Sequence, residues 1–552
     1  MLVPKLVTVL RSGYTRSQLL ADVTAGLIVA VVALPLSIAF AIASGVRPAA
    51  GLATAIVAGF LISALGGSRV QVGGPTGAFV VIVYGIVQQY GVDGLAVATL
   101  IAGVLLVAMG LVGAGAILKF IPFPVITGFT AGIAVIIFSG QVKDLLGLRM
   151  GAPPEGFVEK WIAFAQHLPS ATGGALLISG LTLGISLLWP RVSRTVPAPF
   201  VALVAATLIA YFGGLEVETI GSRFGEITGR LPAPHLPQTS WTEIRQLFPT
   251  AITIALLASI ESLLSAVVAD GMIGGRHRSN MELIAQGVAN FASPLFGGIP
   301  ATGAIARTAT NIRAGGRTPI AGITHALALL LITSFFGRWA AYIPLAALAA
   351  ILVVVSYHMS EWRTFLSELR APKSDVAVLL TTFLLTVLID LTVAIQVGMV
   401  LAAFLFMRRM AEVTQVTAIT AELRDDAEEG SALPPVPAGV EVFAVDGPFF
   451  FGAAEKFRET MDTLRDPPRV LIIEMSRVPA IDSTGLRALT QVVRSAGRQG
   501  TRVILSGVHA QPMVALGRTE LLDTLGDENL IGTVDEALSA ARDHLAPPAA
   551  AA

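Results

Sequence analysis

Two short stretches carry residues suited to holding an anion. GGPTGA spans Gly73 to Ala78, and GGIPATGA spans Gly297 to Ala304. Each joins two glycines, a proline, a threonine and a Gly-Ala pair to a short apolar run. Proline is well placed in the first turn of a helix, where its missing N–H costs nothing. Each stretch therefore predicts a helix beginning at Pro75 or Pro300, entered through a flexible Gly-Gly. Both lie inside long hydrophobic sequence, and a helix that begins inside a membrane leaves its first N–H groups without partners. Those groups, at the positive end of the helix dipole, are suited to bind an anion. Paired interruptions in corresponding halves of a chain point to a secondary transporter's site.

Several side chains join this pair. Thr76 and Thr302 stand at matching places in the motifs, where their hydroxyls would bond a substrate oxygen or bond back to their own helices. Gly77, Gly303 and Ala304 complete the turns, and Gly303 lets backbone approach an anion closely. Arg307, about two turns into the second helix, would supply fixed charge for an anion or pair with a carboxylate. Glu261 lies near the middle of the apolar run Phe248 to Asp270, where a carboxylate is expensive and usually functional. A proton or a cation would remove that cost, which makes Glu261 a candidate coupling residue. Ser265, one turn on, shares its face. Phe40 follows the proline kink at Pro35 and would form an apolar wall. Asp270 and Asp390 read as interfacial charges, and His325 as a packed polar residue.

The elements that must position these residues are membrane spans. Of the 552 residues only 13% are charged, and the mean hydropathy is +0.75; a soluble protein would carry roughly a quarter charged residues. The formal net charge of zero gives no reason to expect nucleic acid as a partner. The absence of cysteine excludes disulfides and thiolate chemistry. The seven histidines show no metal-ligand spacing, and no cofactor or metal is expected. Lys5, Arg11 and Arg16 precede an apolar run too long for a cleavable signal.

Apolar runs of spanning length divide into two sets of seven, about fourteen in all, with repeats over residues 19–213 and 247–410 after an N-terminal segment 1–18. A polar, proline-rich connection separates them. Lys and Arg favour one set of connections about two to one, which places both termini in the cytoplasm. That count sends the two broken helices through the membrane in opposite senses, an inverted repeat whose helix N-termini face each other near the midplane. After Met410 the composition changes. Residues 411–438 read as a linker, acidic over Glu422 to Glu429 and stiffened by Pro434 to Pro437. Residues 439–546 alternate strands with amphipathic helices, a small α/β domain, and 547–552 form a low-complexity tail.

The stretches ALPLSIAFAIASG, GGPTGAF, SIESLLSAVVAD, ELIAQGVANFASPLFGGIPATGAIARTATN and GGRTPIAG together resemble the SulP family of anion transporters. VPAIDSTGL resembles the signature loop of a STAS domain. The resemblance covers nearly the whole chain. It implies an α-helical polytopic membrane domain, a 7+7 inverted repeat divided into core and gate parts, followed by a cytoplasmic α/β STAS domain. Spans one to four and eight to eleven would form the core. The anion would lie between the broken helices near Phe40, Thr76, Ala301 and Thr302, in a homodimer. Sodium-coupled bicarbonate members carry an aspartate where Glu261 stands, with a hydroxyl residue at the place of Ser265; glutamate resembles the proton-coupled members. STAS relatives that act as anti-sigma antagonists are phosphorylated on a serine of this loop, so Ser483 and Thr484 are candidate phosphosites, the other reading being a helix N-cap loop.

The resulting expectation is an inner-membrane secondary transporter of a small anion of the dicarboxylate, sulfate or bicarbonate class. It would work by proton symport and alternating access, and no enzyme activity is expected. The alternatives are a sodium-coupled bicarbonate symporter, an anion channel or exchanger, and a membrane-anchored STAS signalling platform.

Overall fold

A computed structural model describes residues 2–116, 121–154, 156–193, 196–225, 231–237, 240–420, 436–462 and 467–546. Lys119, Arg194 and Arg230 of the charge count, the acidic stretch Glu422 to Glu429, Pro434 and the tail 547–552 lie outside them. The chain forms two units, Met1–Val400 and Leu401–Ala552.

The first unit is helical. A short helix, α1 (Lys5–Arg11), precedes α2 (Arg16–Ala43), whose start is fixed by a reciprocal capping pair of Thr15 and Gln18. Then follow α3 (Pro48–Leu65), a two-residue strand β1 (Gly73–Gly74), and α4 (Gly77–Leu111). Gly91, at φ 72° and ψ −175°, breaks α4 into two arms. The half closes with α5 (Phe123–Leu146), α6 (Phe157–His167), α7 (Gly173–Val192), α8 (Ala198–Phe212) and α9 (Ile220–Phe224). The second half repeats the order: α10 (Trp241–Ile273), α11 (Ser279–Leu295), β2 (Thr302–Gly303) and α12 (Ile305–Arg313). It ends with α13 (Pro319–Phe336), α14 (Leu345–Met359), α15 (Trp362–Glu368), α16 (Lys373–Leu388) and α17 (Leu391–Val413). With the arms of α4 counted separately, fourteen helical segments occupy the expected spans. Nine helical stretches among the described residues are long and apolar enough by themselves to cross a membrane.

Helices in lipid gain little from apolar burial alone and pack through small residues that let backbones approach. A Cβ on Gly103 of α4 would stand 2.8 Å from the carbonyl oxygen of Gly287 on α11, and one on Gly287 would stand 2.6 Å from that of Gly103. This crossing binds the two halves together. Pro35 stays inside α2 without ending it.

The halves also meet through β1 and β2, which pair antiparallel with Gly73 opposite Gly303 and Gly74 opposite Thr302. This corrects the expected helix starts. Neither Pro75 nor Pro300 opens a helix; α4 begins at Gly77 and α12 at Ile305. The preceding residues are extended because each supplies the other's backbone partners at a depth where water is absent.

The second unit holds a five-stranded sheet ordered β3-β4-β5-β6-β7. Its strands are β3 (Gln415–Ala418), β4 (Val440–Asp446), β5 (Val470–Arg477), β6 (Arg502–Ser506) and β7 (Leu530–Ile531). Strands β4 to β7 run parallel, and β3 pairs antiparallel on the edge. The central strands are apolar because both faces are covered. One face packs on α18 (Phe451–Asp462) and α19 (Ser483–Arg498), with α20 (Ala510–Leu516) and α21 (Leu521–Leu525) beside them; the other packs on α22 (Val534–Leu545). Strand β3 falls within the stretch 411–438 read as linker, so the sheet takes its edge strand from that stretch.

Candidate functional site

The antiparallel crossing of β1 and β2 puts the starts of α4 and α12 side by side, each running away from the pair. The first amides of each helix have no intrahelical acceptor, so two positive helix ends share one locus inside the membrane domain.

Arg307 reaches this locus. It lies in the first turn of α12, not two turns in, because the helix starts at Ile305. Its side chain is 1% exposed. Nη2 donates to Ser37 Oγ and to the Pro75 carbonyl, both at 3.1 Å, while buried Nη1 has no partner. Among the described residues no carboxylate pairs with it. A Cβ on Gly74 would stand 2.3 Å from Nη1, so glycine there is what lets the guanidinium pass the strand.

Thr76 and Thr302 are not equivalent. Thr76 is the N-cap residue of α4, and its buried hydroxyl has no partner. Thr302 lies within β2, where its hydroxyl contacts the Ala258 carbonyl at 3.0 Å and Ser262 Oγ at 3.2 Å. Ala304, not Thr302, holds the N-cap position of α12, with its N–H donating to the Val72 carbonyl at 2.9 Å. Ala301 is tied through both N–H and carbonyl to the Asn290 amide, each at 2.8 Å. The Gly303 N–H donates to Ser262 Oγ at 3.0 Å. A Cβ on Gly303 would fall 1.8 Å from Gln71 Nε2, so the Gln71 side-chain amide fills the space beside this glycine.

Around Gly77, Ile137 Cδ1, Met359 Sδ and Phe40 Cε1 come within 3.2 to 3.4 Å of where a Cβ would stand. Phe40 is thus one apolar wall at the start of α4, and Ile137 and Met359 are two others.

Glu261 is 8% exposed on α10 and makes no hydrogen bond or ion pair among the described residues. The other buried acids are satisfied. Asp22 accepts from the Arg317 and Thr318 amides at 2.8 and 3.1 Å and from Tyr14 Oη at 2.8 Å. Glu282 accepts from the Gly67 and Ser68 amides at 2.8 and 3.1 Å and from Gln286 Nε2 at 3.0 Å. Ser265 Oγ lies 3.2 Å from Thr308 Oγ1, which accepts from the Val72 N–H at 3.1 Å. His325 is fully buried, with both ring nitrogens outside hydrogen-bond geometry.

The structure therefore brings together Phe40, Thr76, Gly77, Ala304 and Arg307. Ala301, Thr302 and Gly303 are occupied with holding the crossing. Ser37, Asn290, Ser262, Gln71 and Met359 were missed from sequence. Ser37, a hydroxyl two residues beyond the mid-span proline, carried the one available signal.

A cavity of about 790 Å³ opens at the far ends of α2 and of the first arm of α4. Tyr84, Gln88, Lys143, Arg223 and Asp390 line it, and so does Ile137, which also walls the start of α4. In the second unit, Ser483 and Thr484 are exposed at the start of α19, where Asp482 accepts from the Gly485 N–H at 2.7 Å.

Residues 19–382 match the sulfate permease family and residues 434–537 the STAS domain. A Bacillus subtilis (strain 168) protein named "Putative sulfate transporter YvdB" is 41% identical over 95% of this chain and 98% of its own length. The "Bicarbonate transporter BicA" of Picosynechococcus sp. is 31% identical over 94% of each chain. The structure of the murine Slc26a9 anion transporter in its inward-facing state superposes with a TM-score of 0.86 at 19% identity, covering 98% of this chain and 94% of that one; it shares the fold.

Proposed function

The chain belongs to the sulfate permease family, a multi-pass membrane transporter family, and on that premise we propose that it carries a small anion of the sulfate, bicarbonate or dicarboxylate class by proton symport. The observation that supports this most is Arg307. A guanidinium is costly in a membrane interior unless something answers it. Here it is buried where two helix N-termini meet, keeps one uncommitted nitrogen, and has no carboxylate partner among the described residues. An anion is the missing counter-charge. Thr76 contributes a free hydroxyl, the first amides of α4 and α12 contribute N–H donors, and Phe40 closes the apolar side. The fixed groups of Ala301, Thr302 and Gly303 hold the two helix starts at this spacing.

Glu261 is the coupling group in this reading, with Ser265 beside it. A proton carried on Glu261 lowers the electrostatic barrier to moving an anion through an apolar interface. Sodium takes the proton's place in the alternative reading, drawing on the hydroxyls of Ser265 and Thr308. The protein sits in the inner membrane as a homodimer with both termini cytoplasmic. Its transport part spans residues 19–410, and the STAS domain follows, with its body over 439–546 and its edge strand drawn from the stretch 411–438. Ser483 and Thr484 are the positions at which phosphorylation would regulate that domain.

The test is uptake of radiolabelled sulfate, bicarbonate and succinate into proteoliposomes by the wild type and by Arg307→Ala. Saturable uptake of one anion that Arg307→Ala abolishes is the expected result. A folded protein that moves no anion, or one indifferent to Arg307→Ala, overturns the reading.

A further inference from the structure

The cavity at the far ends of α2 and of the first arm of α4 narrows toward the site just described. On α4, Val80, Tyr84 and Gln88 line it at every fourth residue, so one helix face runs up its wall from Gly77. Across from them on α5, Ile137, Gly140, Gln141 and Asp144 line it at the same helical spacing. The space is wide near the mouth. A Cβ on Gly85 or on Gly140 would meet nothing within 4 Å, and both glycines are exposed. It is shut at the bottom. Val80 and Ile137 are 5% and 1% exposed. At Gly77, one turn before Val80, three side chains converge within 3.2 to 3.4 Å of the place of a Cβ.

Those three come from different helices: Phe40 from α2, Ile137 from α5 and Met359 from the end of α14. Helices α5 and α14 pack on each other. A ring of apolar side chains holds back a hydrated ion by dewetting, without any opposing charge. Of the three, Ile137 alone lines the cavity. It has the cavity on one side and the start of α4 on the other. The wall above it carries Lys143, which donates to the Gly151 carbonyl at 3.0 Å, and Lys160, 6.0 Å from the centre of the Tyr84 ring. Of the carboxylates there, Asp144 pairs with Arg223 and Asp390 accepts from the Thr392 N–H. An anion in the cavity therefore meets lysine before it meets the apolar ring.

We propose that this cavity is the outer entry chamber for the anion and that Ile137 is its gate, separating the chamber from the locus at the starts of α4 and α12. This rests on the reading that the locus binds an anion and that both termini are cytoplasmic, which puts the cavity on the outer face. Helices α4 and α12 carry the locus, whereas α5 carries the gate. Sliding of α2 and α4 along α5 and α14 takes Gly77 past Ile137 and opens the passage.

The chain has no cysteine, so an introduced thiol is the only one present. The probe is 2-sulfonatoethyl methanethiosulfonate, a membrane-impermeant anion, added outside proteoliposomes that hold the protein in its cellular orientation, with labelling read by mass spectrometry. Gly140→Cys, in the open chamber, should react fast. Thr76→Cys, at a buried position behind the gate, should react slowly. Adding Ile137→Ala should speed the Thr76→Cys reaction by at least about tenfold, because thiol reactivity follows exposure. Ile137→Val, gentler on the fold, should give an intermediate rate. Met359→Ala removes a wall that does not line the cavity and should change the rate by less than about twofold. Saturating sulfate, bicarbonate or succinate, whichever is the transported anion, should slow Thr76→Cys labelling. If Ile137→Ala and Ile137→Val leave that labelling rate unchanged, or if Met359→Ala raises it as much, Ile137 is not the gate. If Gly140→Cys reacts only with reagent supplied from inside, the cavity is not the outer chamber. If none of the three anions protects Thr76→Cys while Ile137→Ala still speeds its labelling, the binding reading fails and the gate stands.

Discussion

Replacing Glu261 by glutamine removes one titrating oxygen and leaves the shape of the side chain unchanged. The size of the effect follows from counting buried acids. Among the described residues these are Asp22, Glu261 and Glu282. The oxygens of Asp22 and Glu282 are committed to donors that a proton would displace. Glu261 has no such donor, so one proton per cycle is the stoichiometry the structure allows. One proton per monovalent anion converts a pH difference of one unit into about 1.36 kcal/mol, a limiting accumulation of about tenfold. The direction is fixed by the symport: acidifying the outside drives uptake. The assay is radiolabelled anion uptake into proteoliposomes with the membrane potential clamped at zero, with and without a sodium gradient. Wild type should approach about tenfold accumulation for one pH unit. Glu261→Gln, a mimic of the protonated state, should still bind and exchange anion but should level off at equal concentrations. Accumulation driven by sodium and indifferent to pH would refute the proton half of the argument and favour the sodium-coupled alternative. Undiminished pH-driven accumulation by Glu261→Gln would remove Glu261 from coupling altogether.

Three further outcomes follow from single contacts. Thr76→Val keeps the volume and removes a buried hydroxyl that has no protein partner; anion affinity should weaken by about tenfold while thermal stability holds or rises, and unchanged affinity would exclude Thr76 from the site. Gly303→Ala should destabilise the fold, because the new Cβ meets Gln71 Nε2, and Gln71→Ala should recover stability in the double variant; thermal melts in detergent decide this, and a stable, fully folded Gly303→Ala would contradict the geometry. The Tyr14 phenol, burial first and its bond to Asp22 second, is pushed up to about 12 from 10.0. A group raised in the folded state stabilises it fully below the unfolded value and loses that contribution as pH rises through the folded one. Wild-type melting temperature should therefore fall between about pH 10 and 12 more steeply than that of Tyr14→Phe, and parallel curves would count against the Tyr14–Asp22 bond.

The spans were legible because a bilayer admits only segments that satisfy their own backbone and present apolar surface, a constraint that local composition records directly. The fourteen segments, the change of composition near Met410 and the alternating strands of the C-terminal domain follow from runs such as Ala49 to Leu65 and RVLIIEMS without any tertiary information. Glu261 and Arg307 were equally visible, since a charge in an apolar run needs a reason. What local sequence left open was whatever depends on a partner distant in the chain. Proline at 75 and 300 suits a helix start and an extended strand alike, and the choice fell to the pairing of Gly73 with Gly303, which moved both helices onward and placed Arg307 in a first turn. The same pairing gave Thr76 a free hydroxyl and left Thr302 bound, although the two motifs read alike. Whether Arg307 answers a carboxylate or an anion, and whether Glu261 has a partner, are likewise properties of the space between helices. Burial and orientation of a side chain depend on which backbones cross near it, and those crossings are decided by contacts between the two halves of the chain.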